Sequence, residues 1–240
     1  MLEKLAKQTA VYGISTIAVR FLSYLLTPVF TRVFEPEAYG IVTDVYALIP
    51  FALVVLTMGL ESAYFRFAAK ADAAAAAAGG TEGEIAAQAR AGKRRLFATA
   101  WGVTLLAGSL FFLLTAFGRE RVAEWMGEAY VAHPEYVLLV AAVVWFDVAA
   151  CLPFSRLREQ GRAMTFVGIK ALGVVVNVAL AIGFALAGLY GTPFGVGWVF
   201  VANLIASAVT FNVILLTTDR TVPRLSLIHI SEPTRQEAIS

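Results

Sequence analysis

The chain has 240 residues, 59% hydrophobic and only 15% charged, and its mean hydropathy of +0.75 is well above what a water-soluble domain of this size carries. That excludes a soluble enzyme, a nucleic-acid binder and a disordered protein, and a net charge of +2 gives no bulk signal for a polyanionic partner. With one cysteine, Cys151, and two histidines there is no internal disulfide framework and no zinc cluster, so no metal or other cofactor is expected.

About 20 apolar residues are needed for a helix to cross roughly 30 Å of hydrocarbon. Six runs meet that length, at approximately 9–30, 41–65, 96–117, 136–154, 164–190 and 196–216. Backbone N–H and C=O groups must be paired within lipid, and runs this long without two-residue alternation are not barrel strands. The fold class expected is therefore all-α integral membrane, with six transmembrane helices in residues 1–224. Pro50, inside the second run, removes a backbone hydrogen bond and predicts a kink. Residues 71–92, with an alanine run followed by Gly79 and Gly80, predict a flexible cytosolic loop. Residues 118–135 carry Glu120, Glu124 and Glu128 among apolar side chains and predict a short interfacial helix. The tail from Leu225 to Arg235 resembles a translated transposase-type sequencing adapter. Residues 225–240 are accordingly left out of the fold, and the chain is expected to be a fragment.

An even number of spans puts both ends of 1–224 on one side. Lys4, Lys7, Arg66, Lys70, Arg90, Lys93, Arg94, Arg95, Arg156, Arg158, Arg162, Arg220 and Arg224 share that side, against Arg32, Arg119 and Arg121 on the other. The basic side is cytoplasmic by the positive-inside rule, and with it the N-terminus.

Five charged residues remain within the spans: Arg20, Asp44, Glu61, Asp147 and Lys170. A charge at a helix centre costs about 2.5–3.5 kcal/mol on insertion scales, so each calls for a partner or a watery cavity. Arg20 and Asp147 lie deepest, whereas Asp44 and Glu61 lie nearer the ends of their span. Thr16, Arg20, Ser23 and Thr27 fall on one helical stripe, Lys170, Gly173 and Asn177 on a second, and Asn203, Ser207 and Thr210 on a third. Stripes of small and polar residues are also common helix-packing surfaces in membranes. The two basic groups on them favour a cavity, and a phosphate-bearing anion suits both. Arg20 has a second reading, in which it neutralises Asp147 or Glu61 without any ligand. No Gly-rich phosphate loop occurs and no paired-carboxylate motif lies at a membrane surface, so an enzyme is not expected.

Several segments carry a family resemblance. They are Lys7-Gln8-Thr9-Ala10-Val11-Tyr12-Gly13, Arg20-Phe21-Leu22, Leu26-Thr27-Pro28 through Thr31-Arg32-Val33-Phe34, Tyr39-Gly40, and Gly59-Leu60-Glu61-Ser62-Ala63-Tyr64-Phe65-Arg66-Phe67. Asp147 with Leu152-Pro153-Phe154-Ser155-Arg156-Leu157-Arg158 and Arg162, and Ala202-Asn203-Leu204-Ile205-Ala206-Ser207, complete the pattern. In this order and spacing the chain resembles the polysaccharide-biosynthesis flippases of the multidrug/oligosaccharidyl-lipid/polysaccharide exporter superfamily. The resemblance implies a multi-pass protein of the bacterial inner membrane that moves polyprenyl-pyrophosphate-linked oligosaccharide for O-antigen, capsule or exopolysaccharide assembly. It implies two six-helix lobes facing a cationic cavity, of which this chain supplies the N-terminal one, so the missing lobe, the bilayer, the lipid-linked glycan and glycan-assembly proteins are the partners. By position Arg20 corresponds to a cavity arginine for the pyrophosphate, with Lys170 beside it. Glu61, Arg66, Asp147 and Asn177 are candidates for cavity lining, gating or ion coupling. A multidrug exporter or a peptidoglycan-precursor flippase of the same superfamily, and a membrane glycan polymerase or ligase, are the alternatives.

Overall fold

The computed structural model describes residues 26–218. The candidate Arg20, the greater part of the first expected span and the tail 225–240 lie outside these residues. Nine α-helices make up the described part: α1 Thr27–Val33, α2 Pro36–Thr57, α3 Leu60–Ala78, α4 Glu82–Phe117, α5 Arg119–Met126, α6 Glu128–Val131, α7 Pro134–Glu159, α8 Ala163–Leu186 and α9 Gly197–Thr218, with a 3-10 turn at Leu189–Gly191. Five helical segments among them are long and apolar enough to cross a bilayer: Pro36–Ala78, which is α2 and α3 together, then α4, α7, α8 and α9. The protein is an all-α, multi-pass membrane protein.

The helix boundaries follow from local chemistry. Pro28, Pro36 and Pro134 each sit in the first turn of a helix, where no intrahelical N–H is lost. The second expected span does not run unbroken through 41–65. Met58 (φ 48°) and Gly59 (φ 69°) are both left-handed, a conformation that glycine adopts freely and methionine does not, and the chain breaks there between α2 and α3. Pro50 stays inside α2 without ending it.

The expected loop at 71–92 is corrected: it is helical on both sides of a three-residue turn, Gly79-Gly80-Thr81. Alanine is the best helix former, so a run of it extends α3 rather than loosening it. Thr81 then starts α4 with a capping box, its backbone N–H donating to Glu84 Oε2 at 2.8 Å while the Glu84 N–H donates to Thr81 Oγ1 at 3.4 Å. These hydrogen bonds hold the Glu84 carboxyl below its ordinary range. At 36 residues α4 is about 54 Å long, well beyond the roughly 30 Å of hydrocarbon, so α3 and the first part of α4 form a hairpin that extends past the bundle.

α7 is the axis, packing against α2, α3, α4, α5, α8 and α9. Its valines 143, 144 and 148 and its leucines 152 and 157 are fully buried. A Cβ at Gly108 would stand 3.2 Å from Val148, which sets how closely α4 approaches. Where α7 starts, tyrosines and tryptophans collect, as at a membrane interface. Tyr136 Oη donates to the Phe194 carbonyl at 2.7 Å, Tyr190 Oη donates to that of Ala181 at 2.9 Å, and Phe34 packs on Tyr190. α5 and α6 lie at this end, so a short helix occupies the segment where one was expected. Where α7 ends, charge takes over: Lys93 of α4 lies 2.7 Å from both Asp72 of α3 and Glu159 of α7. Partial burial draws the Lys93 pKa down, but the two carboxylates outweigh it and hold it above its ordinary value.

Candidate substrate cavity

The stripes read along α8 and α9 face each other across one cavity of about 670 Å³. Lys170, Gly173 and Asn177 of α8 line it, as do Asn203, Ser207 and Thr210 of α9 and Asp147 from the middle of α7. Thr27, the member of the span-one stripe that falls among the described residues, is on its wall too. The two helices come together at Gly173, where any Cβ would collide with the Thr210 hydroxyl. A glycine here permits an approach that alanine would prevent.

The opposing wall was not singled out from sequence. Tyr39, Thr43, Tyr46 and Pro50 of α2 line it. Their spacing of i, i+4, i+7 and i+11 is the same helical signal as in the other stripes, but this stripe carries no charge to set it apart. The Tyr46 hydroxyl oxygen is buried close to Asn177, without a hydrogen bond of ordinary geometry.

The charges in the cavity are not paired with one another. Lys170 is exposed along its length, and its Nζ sits 4.3 Å above the Phe154 ring, a cation–π contact. Asp147 is partly buried beside Ser207, with Lys170 acting on it electrostatically, and forms no ion pair with a described residue. Among the described residues the cavity therefore offers one cation, one carboxylate and a set of amide and hydroxyl groups. That set can hydrogen-bond a polar, hydroxyl-rich ligand and supply charge to an anionic one.

Glu61 and Arg66 are not part of it. Glu61 lies between α3 and α7, where its Oε1 accepts from Cys151 Sγ at 3.0 Å, Ser155 Oγ at 3.1 Å and Arg158 Nη2 at 3.3 Å. Arg158 also lies 5.3 Å from the Phe65 ring centre, and the neighbouring Arg156 guanidinium stacks 4.7 Å above Phe97. Cys151, Ser155 and Arg158 recur at i, i+4 and i+7 on the face of α7 that meets α3. Arg66 is exposed on α3. Of the candidate residues, then, the structure brings Lys170, Asp147 and Asn177 together, sets Glu61 in a separate cluster and leaves Arg66 on the surface; Arg20 lies outside the described residues.

No group of histidine, cysteine and carboxylates among the described residues has the arrangement of a metal site. The chain matches the family model described as polysaccharide biosynthesis protein over residues 5–231. No curated protein and no solved structure matches it. With the match covering nearly its whole length, the chain belongs to the polysaccharide biosynthesis protein family.

Proposed function

We propose that the protein moves a polyprenyl-pyrophosphate-linked oligosaccharide across the bacterial inner membrane, as the N-terminal lobe of a two-lobed exporter working by alternating access. The observation that carries this reading is the cavity: Lys170, Asn177, Asn203, Ser207 and Thr210 from two facing helices converge on one space that also holds Asp147. A glycan is a dense array of hydroxyls, matched by amides and hydroxyls on the wall, and a pyrophosphate is matched by the ammonium of Lys170. Arg20, on the same helical stripe as Thr27, is the second cation of the proposal. The polyprenyl tail stays in lipid while the polar head crosses. In this reading the N-terminus is cytoplasmic, the partners are the second lobe and the lipid-linked glycan, and the protein breaks no covalent bond.

The test is complementation of a strain lacking the native gene by the two-lobed exporter that carries this lobe. Lys170→Ala should insert at the normal level yet cut delivery of glycan to the outer leaflet by about tenfold or more, and Lys170→Arg should restore much of it. Unchanged delivery by Lys170→Ala would overturn the role of this residue. Asp147 together with Tyr39 and Tyr46 favours one other reading, export of cationic drugs through an acidic, aromatic cavity. It predicts that Asp147→Asn raises drug sensitivity while glycan delivery is unaffected.

A further inference from the structure

The neck of the α3–α4 hairpin is ringed by cations that form no ion pair with a described residue. Tyr64 meets Phe97 with ring centres 6.2 Å apart, and Ala71 packs against Gly92, which fixes the register of the two helices. That register sets Arg66 and Lys70 of α3 at the height of Arg94 and Arg95 of α4, with Arg90 one turn further out. All five are exposed, and none forms an ion pair with a described residue, in contrast to Lys93 between its two carboxylates. Arg66 and Lys70, and likewise Arg90 and Arg94, are four residues apart on one helix, an arrangement that repels itself unless an anion lies between. Phe67 of α3, 49% exposed, has the Lys70 ammonium 5.4 Å from its ring. The apolar run of α4 begins at Leu96, directly after Arg95, so this ring of cations sits at the edge of the hydrocarbon.

We propose that this neck is a seat for anionic phospholipid headgroups of the leaflet from which the hairpin emerges. Phosphodiester oxygens accept charge-assisted hydrogen bonds from guanidinium and ammonium groups. The long stems of Arg and Lys reach the headgroup plane while their carbons cover apolar surface, and exposed Phe67 enters the acyl boundary between them. Basic clusters directly outside a span attract acidic lipid in this way, and salt weakens the attraction. The seat adds a membrane contact at the neck of the hairpin, beside the Lys93–Glu159 pair that ties it to α7.

The test is lipid retention by the whole chain, purified in detergent containing equal amounts of phosphatidylglycerol, phosphatidylcholine and polyprenyl diphosphate, and read by mass spectrometry. Phosphatidylglycerol should be retained over phosphatidylcholine by roughly fivefold or more, and the excess should fall in about 0.5 M salt. Replacing Arg66, Lys70, Arg94 and Arg95 together by glutamine should abolish the excess, whereas Arg119→Gln with Arg121→Gln at the other end should leave it. Because the salt arm uses the unaltered chain, it holds even if the fourfold variant expresses poorly. Equal retention of both phospholipids, or enrichment of polyprenyl diphosphate with phosphatidylglycerol at its bulk fraction, would overturn the proposal.

Discussion

Two carboxylates are placed against α7 in opposite ways. Glu61 has three donors on one oxygen, among them the Arg158 guanidinium, and its cluster joins α3 to α7. Asp147, one turn from Cys151 on the same helix, has Ser207 beside it and no ion pair with a described residue, and it faces open space. A charge satisfied by its own protein is part of the architecture. One left open inside a membrane lacks that compensation, which is the usual mark of a group that acts on something passing by.

The largest stability effect is expected from breaking the satisfied site. Glu61→Ala leaves Arg158 without its carboxylate and removes the acceptor of Cys151 and Ser155. As the pair is partly exposed, a loss of about 1–3 kcal/mol is expected, read as a lower unfolding temperature in detergent. Asp147→Asn should change that temperature little, since Asp147 has no ion pair with a described residue. An equal loss from both would erase the distinction between the two carboxylates. Comparable in size is Gly173→Ala, which drives a methyl into Thr210 and forces α8 from α9 at the cavity wall. A cost of about 1–3 kcal/mol is expected, and Thr210→Ser, which keeps the colliding hydroxyl, should not relieve it, whereas Thr210→Ala should.

The smallest effect lies far from both carboxylates, at the hairpin tip. Thr81→Ala removes the cap of α4 and should cost about 1 kcal/mol, read as lost helicity or faster amide exchange confined to the hairpin. The same cap depends on pH. Glu84 has a depressed pKa in the folded state, so its contribution is complete above the unfolded value of about 4.3 and fades as pH falls through the lower folded value. The protection factors of the hairpin amides, corrected for the intrinsic slowing of exchange in acid, should therefore fall at acid pH in the wild type and depend less on pH in Glu84→Gln.

How far the sequence could be read varied with the kind of signal. The apolar runs at 136–154, 164–190 and 196–216 fall on α7, α8 and α9, as hydrocarbon thickness leads one to expect, whereas α4 starts at Glu82, well before the run at 96–117. Stripes at helical spacing placed Lys170, Asn177, Asn203, Ser207 and Thr210 on faces that do meet, since 3.6 residues per turn decides which side chains share a face. The break at Met58 and Gly59 was not legible, because glycine within a span usually stays helical. Reading alanine and glycine between spans as a loop overlooked the helix propensity of alanine and the cap at Thr81. The partners of Glu61 were out of reach as well: Cys151, Ser155 and Arg158 are about 90 residues or more away in sequence, and which faces α3 and α7 turn to each other is a matter of packing.

The most direct test of the cavity as the route for substrate is cysteine accessibility at Asn177. Cys151 is the single cysteine of the chain, so Cys151→Ser with Asn177→Cys places one thiol on the cavity wall. In membranes of a strain that accumulates the lipid-linked glycan, a water-soluble thiol reagent should label this position slowly, and labelling should quicken when glycan synthesis is blocked. Labelling that proceeds at the same rate with and without the glycan, or a thiol that never reacts, would contradict the account.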